Sequence, residues 1–162
     1  MAGNIHRPSI SDIKFDIETL KFAKNYLLEK KGDNSLLVSI QNLFKEKGYP
    51  HFDWRFYCKD LFSTEDNLTK QKPSKLAYNN LNKATEIFKN FGKLDIGQSL
   101  ILQNQIVLGV EAAEGTDELI KRCFQYKKKG DEGILLKLSK YNQNKYLDIP
   151  VIGLNTVKNI KK

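Results

Sequence analysis

Three carboxylates fall within seven residues of an otherwise basic chain: Glu111, Glu114 and Asp117. Glu114 opens the turn Glu114-Gly115-Thr116-Asp117, and Leu119, Ile120 and Cys123 follow it at helical spacing. A helix that starts in this turn offers free N–H groups around Gly115 and Thr116 to a phosphate. Carboxylates at the same point can hold Mg²⁺, a hard cation that takes one or two of them beside phosphate oxygens and water. A metal held there polarises a phosphoryl oxygen and lowers the pKa of bound water. The same residues also describe an ordinary helix start. Thr116 or Asp117 then serves as the N-cap, and Glu114 and Glu118 face the positive end of the helix dipole. Spacing alone does not separate the two readings.

The elements that must position this turn are legible on both sides of it. Residues 99–103 and 106–112 are apolar runs of strand length, separated by Asn104-Gln105. They read as a β-hairpin, with a weaker turn signal than Asn-Gly. Gly97 closes a turn just before the first run. Upstream, Pro73 fits position N1 of a helix whose apolar spacing includes Leu76, Leu81, Ala84, Phe88 and Phe91 and stops at Gly92. Downstream, residues 127–133 form a polar turn, 134–138 a strand carrying Lys137, and 139–147 a polar loop. Asn155 is placed to cap a short final helix through Val157 and Ile160.

The first third of the chain has a different pattern. Residues 1–5 read as the end of a strand entering a loop, since Pro8 forces Arg7 towards an extended conformation. Amphipathic helices are expected at about residues 16–30 and 34–47, with Gly32 stopping the first, Asp33 or Asn34 capping the second, and Gly48 ending it. Residues 49–57 are aromatic-rich and read as an extended, core-packing strand. Interleaved with Arg55, the same aromatics have the pattern of a single-stranded nucleic-acid site, a weaker reading for one short run. Residues 58–72 read as a loop, with a domain boundary near Leu61.

At 162 residues the chain can hold one large or two small domains. No apolar run reaches membrane-spanning length. Cys58 and Cys123 are too few for a disulfide framework and lack metal-ligand spacing, so a reduced, intracellular setting is expected. The net charge of +8 suits an anionic partner, but the lysines are dispersed and read first as a solvated surface. No nucleic-acid partner is expected.

In order along the chain stand Met1-Ala2-Gly3, Arg7-Pro8-Ser9, Asp95-x-Gly97-Gln98-Ser99, Gln103, Glu111, Glu114-Gly115-Thr116-Asp117, Lys137, Lys140, Gln143, Asp148-x-Pro150 and Gly153. This ordered set resembles the LpxI-type UDP-2,3-diacylglucosamine hydrolases of lipid A biosynthesis. The resemblance implies an α/β fold, with residues 1–60 as the rear part of a Rossmann-like N-terminal domain and 61–162 as a small α/β catalytic-type domain with a β-hairpin. It implies Mg²⁺-dependent cleavage of a pyrophosphate, giving UMP and 2,3-diacylglucosamine 1-phosphate (lipid X). Asp117 would be the essential aspartate, with Glu111 and Glu114 beside it at the metal. Gly115, Thr116, Lys137, Lys140 and Arg7 would meet the substrate phosphates. It also implies a lipid-linked nucleotide-sugar substrate and a cytoplasmic location with peripheral contact at the inner membrane.

Two departures accompany the resemblance. The family's glycine-rich opening has no counterpart before Met1, which raises a second expectation: a remnant, or one half of a split hydrolase with a separately encoded N-terminal partner. The apolar stripes through Leu20, Leu27, Leu37 and Ile40 would then bind that partner or a second copy. In the loop that usually reads Lys-Pro-x-Gln-Asp-x-Arg-x-Asp-x-Pro, Asn144 replaces an acid and Tyr146 an arginine. Asparagine supplies no negative charge, and tyrosine makes no bidentate phosphate contact.

Overall fold

The computed structural model of the 162-residue chain describes residues 14, 16–28, 33–94, 96–139 and 149–161. These divide between two compact units, Met1–His51 and Phe52–Lys162. The fold is α/β, and its sheet among the described residues has three antiparallel strands. Among the described residues, no helix is long and apolar enough to cross a membrane.

In the first unit, α1 (Ile17–Leu28) packs against α2 (Asp33–Glu46). Asp16 caps α1, its Oδ1 accepting the Thr19 N–H at 2.6 Å. The end of α2 follows its sequence closely. Gly48 takes φ 85°, Tyr49 N–H reaches back to Phe44 O at 2.8 Å, and the two rings meet edge to face at 6.4 Å. A left-handed glycine with an apolar clasp across it is a complete helix stop. The strand expected at residues 1–5 lies outside the described residues.

The strand expected at 49–57 does not form. Asp53 instead accepts the Arg55 backbone N–H at 3.1 Å and pairs with its guanidinium through Nε at 2.8 Å and an NH2 nitrogen at 2.6 Å. This local cap closes a 3₁₀ turn at Trp54–Phe56, and a second turn follows at Lys59–Leu61. A side chain that satisfies nearby backbone groups removes the need for a ladder. The rings pair among themselves, Phe52 with Tyr57 at 5.6 Å and Trp54 with Phe62 at 5.2 Å. Phe52, Phe56 and Tyr57 remain exposed rather than entering a core.

The second unit is built on α3 (Lys75–Phe91), β1 (Ser99–Gln103), β2 (Ile106–Val110), α4 (Thr116–Phe124), β3 (Ile134–Lys137) and α5 (Leu154–Ile160). Pro73 precedes the α3 cap instead of occupying N1, because Ser74 Oγ accepts the Ala77 N–H at 3.1 Å and so takes the N-cap position. The final helix starts two residues earlier than expected, with Gly153 rather than Asn155 at its cap.

β1 is central, with β2 and β3 on either side. Alternation along it sorts its side chains onto two faces. Leu100 and Leu102 join Leu136 of β3 and Ala84 and Phe88 of α3 in the core. α4 packs on the sheet through β1 and β2, with Leu119, Ile120 and Cys123 buried. A bulge in β2, where Ile101 pairs with Gly109 and Leu102 with Val107, sets Gly109 beneath α4. A Cβ there would run into Cys123 Sγ and sit 2.9 Å from Leu119 Cδ1, so glycine lets the helix lie close.

The hairpin tip depends on partners outside the hairpin. Asn104 and Gln105 take φ 51° and 60°, the conformation that Asn-Gly adopts readily and Gln does not. Buried Asn80 of α3 holds them, its Oδ1 accepting the Gln105 N–H at 2.7 Å and its Nδ2 donating to Asp131 Oδ2 at 2.7 Å. Asp131 also accepts the N–H groups of Asn104 and Gly133. Gln103 is buried beside them, donating to the carbonyls of Lys128 and Asp131 and accepting the Lys128 N–H. Asn80→Ala strands the Gln105 N–H and is expected to cost about 2 kcal/mol, read from the urea unfolding midpoint. Gln105→Gly relieves the left-handed strain and is expected to move that midpoint upward, by about 1 kcal/mol or less.

Candidate functional site

The three carboxylates do not converge. Glu111 follows β2 directly and turns inward, with 7% of its surface exposed. Its backbone N–H donates to Ser99 O at 2.8 Å, and its Oε2 accepts the Gln98 N–H at 3.3 Å. Its Oε1 accepts the Thr116 hydroxyl at 2.9 Å. The chain before β1 lies so close that a Cβ on Gly97 would run into the Glu111 carbonyl oxygen. Gly97 is thus required by close approach, in addition to its place in a turn.

Glu114 closes its own loop. It accepts the Ala112 N–H at 3.1 Å and pairs with Arg122 at 2.7 Å, while Arg122 also donates to Val110 O. Its own backbone N–H, then Arg122, then the Ala112 N–H hold its carboxyl below the usual glutamate range. Asp117 is half-buried in the first turn of α4, and its Oδ1 accepts the Thr156 hydroxyl of α5 at 2.7 Å. Thr156 had no signal in the spacing, because its partner lies on another helix.

Thr116 is the junction between the acids and the cation. Lys137, the last residue of β3, donates from Nζ to Thr116 Oγ1 at 2.9 Å, and Ser99 Oγ lies 3.4 Å from the same oxygen. Neither Thr116 nor Asp117 caps α4. The cap position belongs to Gly115, at φ 82°, and carries no side-chain hydrogen bond to the helix. The N-terminus of α4 therefore has Asp117, Glu118, and the Lys137-bound hydroxyl of Thr116 around it without a side chain closing it. Lys140 and Arg7, the other cations expected at the phosphates, lie outside the described residues, as do Asn144 and Tyr146.

The donor set fits a metal held by one carboxylate better than by three. Among the described residues, no group of three His, Cys, Asp or Glu side chains is placed to share an ion. Glu111 is engaged with Thr116 and Gln98, and Glu114 with Arg122. Asp117 has one oxygen engaged, which suits Mg²⁺ bound through one carboxylate and the oxygens of a phosphate.

Beyond Asp117, the α4–α5 seam becomes apolar. Asp117, Ile120 and Phe124 follow one another on one side of α4. Ile120, Phe124 and Ile160 line a groove of about 100 Å³ against Ile101, Leu108 and Leu135 of the sheet. Cys123 also faces it, and burial pushes its thiol pKa up, so it behaves as a core side chain.

An antiparallel three-stranded sheet between α3 and the α4–α5 pair, with a buried acid under an uncapped helix start, defines a small α/β domain of two helical layers. The chain belongs to the LpxI family. The LpxI C-terminal domain matches residues 64–162 and the LpxI N-terminal domain residues 1–61. Over 163 aligned residues the chain is 29% identical to the UDP-2,3-diacylglucosamine pyrophosphatase LpxI of Caulobacter vibrioides. That alignment covers 96% of this chain and 58% of the relative. The family's domain division thus falls ten residues beyond the point where the compact units part, at His51.

Thr116→Val keeps the shape of the junction and removes its hydroxyl. It is expected to destabilise the fold by about 2 kcal/mol, with Thr116→Ser recovering most of the loss in chemical denaturation. The Glu114–Arg122 pair has a definite pH dependence. Because the folded-state pKa of Glu114 is lowered, the pair's contribution is present above the unfolded glutamate pKa and is lost as pH falls through the folded one. Arg122→Gln is expected to raise the Glu114 pKa, measured by carbon NMR titration of its carboxyl.

Proposed function

We propose that this chain hydrolyses the pyrophosphate of UDP-2,3-diacylglucosamine to UMP and 2,3-diacylglucosamine 1-phosphate, a step of lipid A biosynthesis. Family membership and the activity named for the Caulobacter relative support the reading. The observation that carries it in this chain is the start of α4. Asp117 stands there in the first turn, and Lys137 arrives at the same turn through the Thr116 hydroxyl. Water attacks one phosphorus, the bridging P–O bond breaks, and two phosphate monoesters leave.

In this reading the N–H groups opening α4, at Gly115 and Thr116, face phosphate oxygens, and the Lys137 ammonium offsets their charge. Lys140 and Arg7 supply further cations. Asp117 holds Mg²⁺, which when bound supplies Lewis-acid polarisation of a phosphoryl oxygen. Glu111 serves by holding Thr116, and Glu114 by closing the turn. The apolar groove at Ile120, Phe124 and Ile160, further along α4 from Asp117, suits the apolar part of the lipid-linked substrate. Work then takes place in the cytoplasm, with peripheral contact at the inner membrane.

A second reading divides the activity between this chain and a partner, either a separately encoded N-terminal half or a second copy. It is favoured by Ile17 and Leu20 of α1, which are 73% and 55% exposed. The assay is UMP release from UDP-2,3-diacylglucosamine. The expected result is Mg²⁺-dependent release, abolished by EDTA and lowered on the order of 100-fold or more in Asp117→Ala. Release only after adding the part of the relative that this chain does not match would select the second reading. Undiminished release from Asp117→Ala would overturn the assignment of Asp117.

A further inference from the structure

α5 is docked in an unusual way. Two of its large apolar residues, Leu154 and Val157, stay 69% and 50% exposed, and Ile160 only edges the groove at 52% exposure. Its one buried residue is Thr156, at 7%. A helix that packs for hydrophobic gain buries its leucine and valine before its threonine. Here the helix brings a hydroxyl inward, and that hydroxyl donates to Asp117 Oδ1 at 2.7 Å.

We infer that Thr156 is a positioning residue for Asp117, holding its carboxylate in one rotamer with Oδ1 taken and Oδ2 left for the ligand. This inference rests on the role proposed for Asp117. Among the described residues, Oδ2 accepts no hydrogen bond and Asp117 forms no ion pair. A donor on one oxygen stabilises the ionised carboxylate and fixes the plane in which the other oxygen lies. It also disfavours two-oxygen chelation, which Mg²⁺ seldom uses and larger cations accept. Groups that orient a ligand without touching the metal usually matter ten- to a hundred-fold (about 10–100) in affinity or rate. Thr156 has the burial, the distance and the donor for that part, and among the described residues no other hydroxyl donates to the Asp117 carboxylate.

The test compares Thr156→Val, which keeps the shape, with Thr156→Ser, which keeps the hydroxyl. The first readout needs no turnover: the Asp117 χ1 rotamer, from three-bond NMR couplings to its carboxyl carbon. One rotamer in the wild type and in Thr156→Ser, with averaging in Thr156→Val, is the expected result. The second readout is kinetic, with kcat expected to fall about ten- to a hundred-fold in Thr156→Val, KM for substrate nearly unchanged, and Thr156→Ser near wild type. If Thr156→Val does not fold by circular dichroism, Thr156→Ala is read in its place. A single Asp117 rotamer in the hydroxyl-free variant, or wild-type kcat in it, overturns the inference. A wild-type chain that releases no UMP counts against the proposed function instead, and the rotamer measurement then decides the positioning role alone.

Discussion

The Thr116 hydroxyl is the interaction on which the second unit depends. It donates to Glu111 and accepts from Lys137, so one oxygen satisfies a buried carboxylate and connects it to a cation. The residues around it come from every strand of the sheet. Ser99 begins β1, Glu111 follows β2, Lys137 ends β3, and Ser99 pairs with Lys137 in register. A buried carboxylate left without donors is among the costliest defects a core can carry. The three strand ends and the start of α4 are therefore held together by the need to keep the Glu111 carboxylate hydrogen-bonded. The close approach of Gly97 to Glu111 follows from the same constraint.

The other end of the sheet repeats the device with two amide side chains and a second carboxylate. Asn80, Gln103 and Asp131 tie α3, the hairpin tip and the turn before β3 into one network. Between the two polar ends lies the apolar layer of Leu100, Leu102, Leu136, Ala84 and Phe88. Hydrophobic burial supplies most of the stability of such a layer but is indifferent to small slips along the strands. The polar clusters remove that freedom, because each demands a particular register. Precision at the start of α4 is inherited from both.

Much of this was legible in the sequence, and what was not has identifiable causes. The hairpin, α3, α4 and β3 follow from apolar periodicity, and Gly48 stops α2 where expected. Residues 49–57 misled because aromatic content reads as strand, whereas Asp53 and Arg55 satisfy the backbone locally. Glu111, Glu114 and Asp117 looked like one metal set because spacing counts residues and ignores direction. Glu111 leaves a strand facing inward, Glu114 sits in a turn, and Asp117 points to another helix. Thr156 was invisible for the same reason: a tertiary hydrogen bond from a short helix has no local pattern.

The start of α4 breaks a local rule, and the manner of the break is informative. Thr is a preferred N-cap, and capping is worth about 1 kcal/mol. Thr116 stands one position too late for that, inside the helix, with its hydroxyl turned to Glu111. Gly115 occupies the cap at φ 82° and offers no oxygen, although a Cβ there would meet nothing, so the glycine answers to backbone angle and not to crowding. The chain thus gives up an available cap and spends the hydroxyl on the interior. Asp117 and Glu118 offset part of the loss through the helix dipole. Sequences usually keep their local and global preferences in agreement, and departures concentrate where a site needs them. At α4 the departure leaves an open helix end with a hydrogen-bonded carboxylate and a tethered lysine, a stability cost incurred at the point where the proposed reading places an anion.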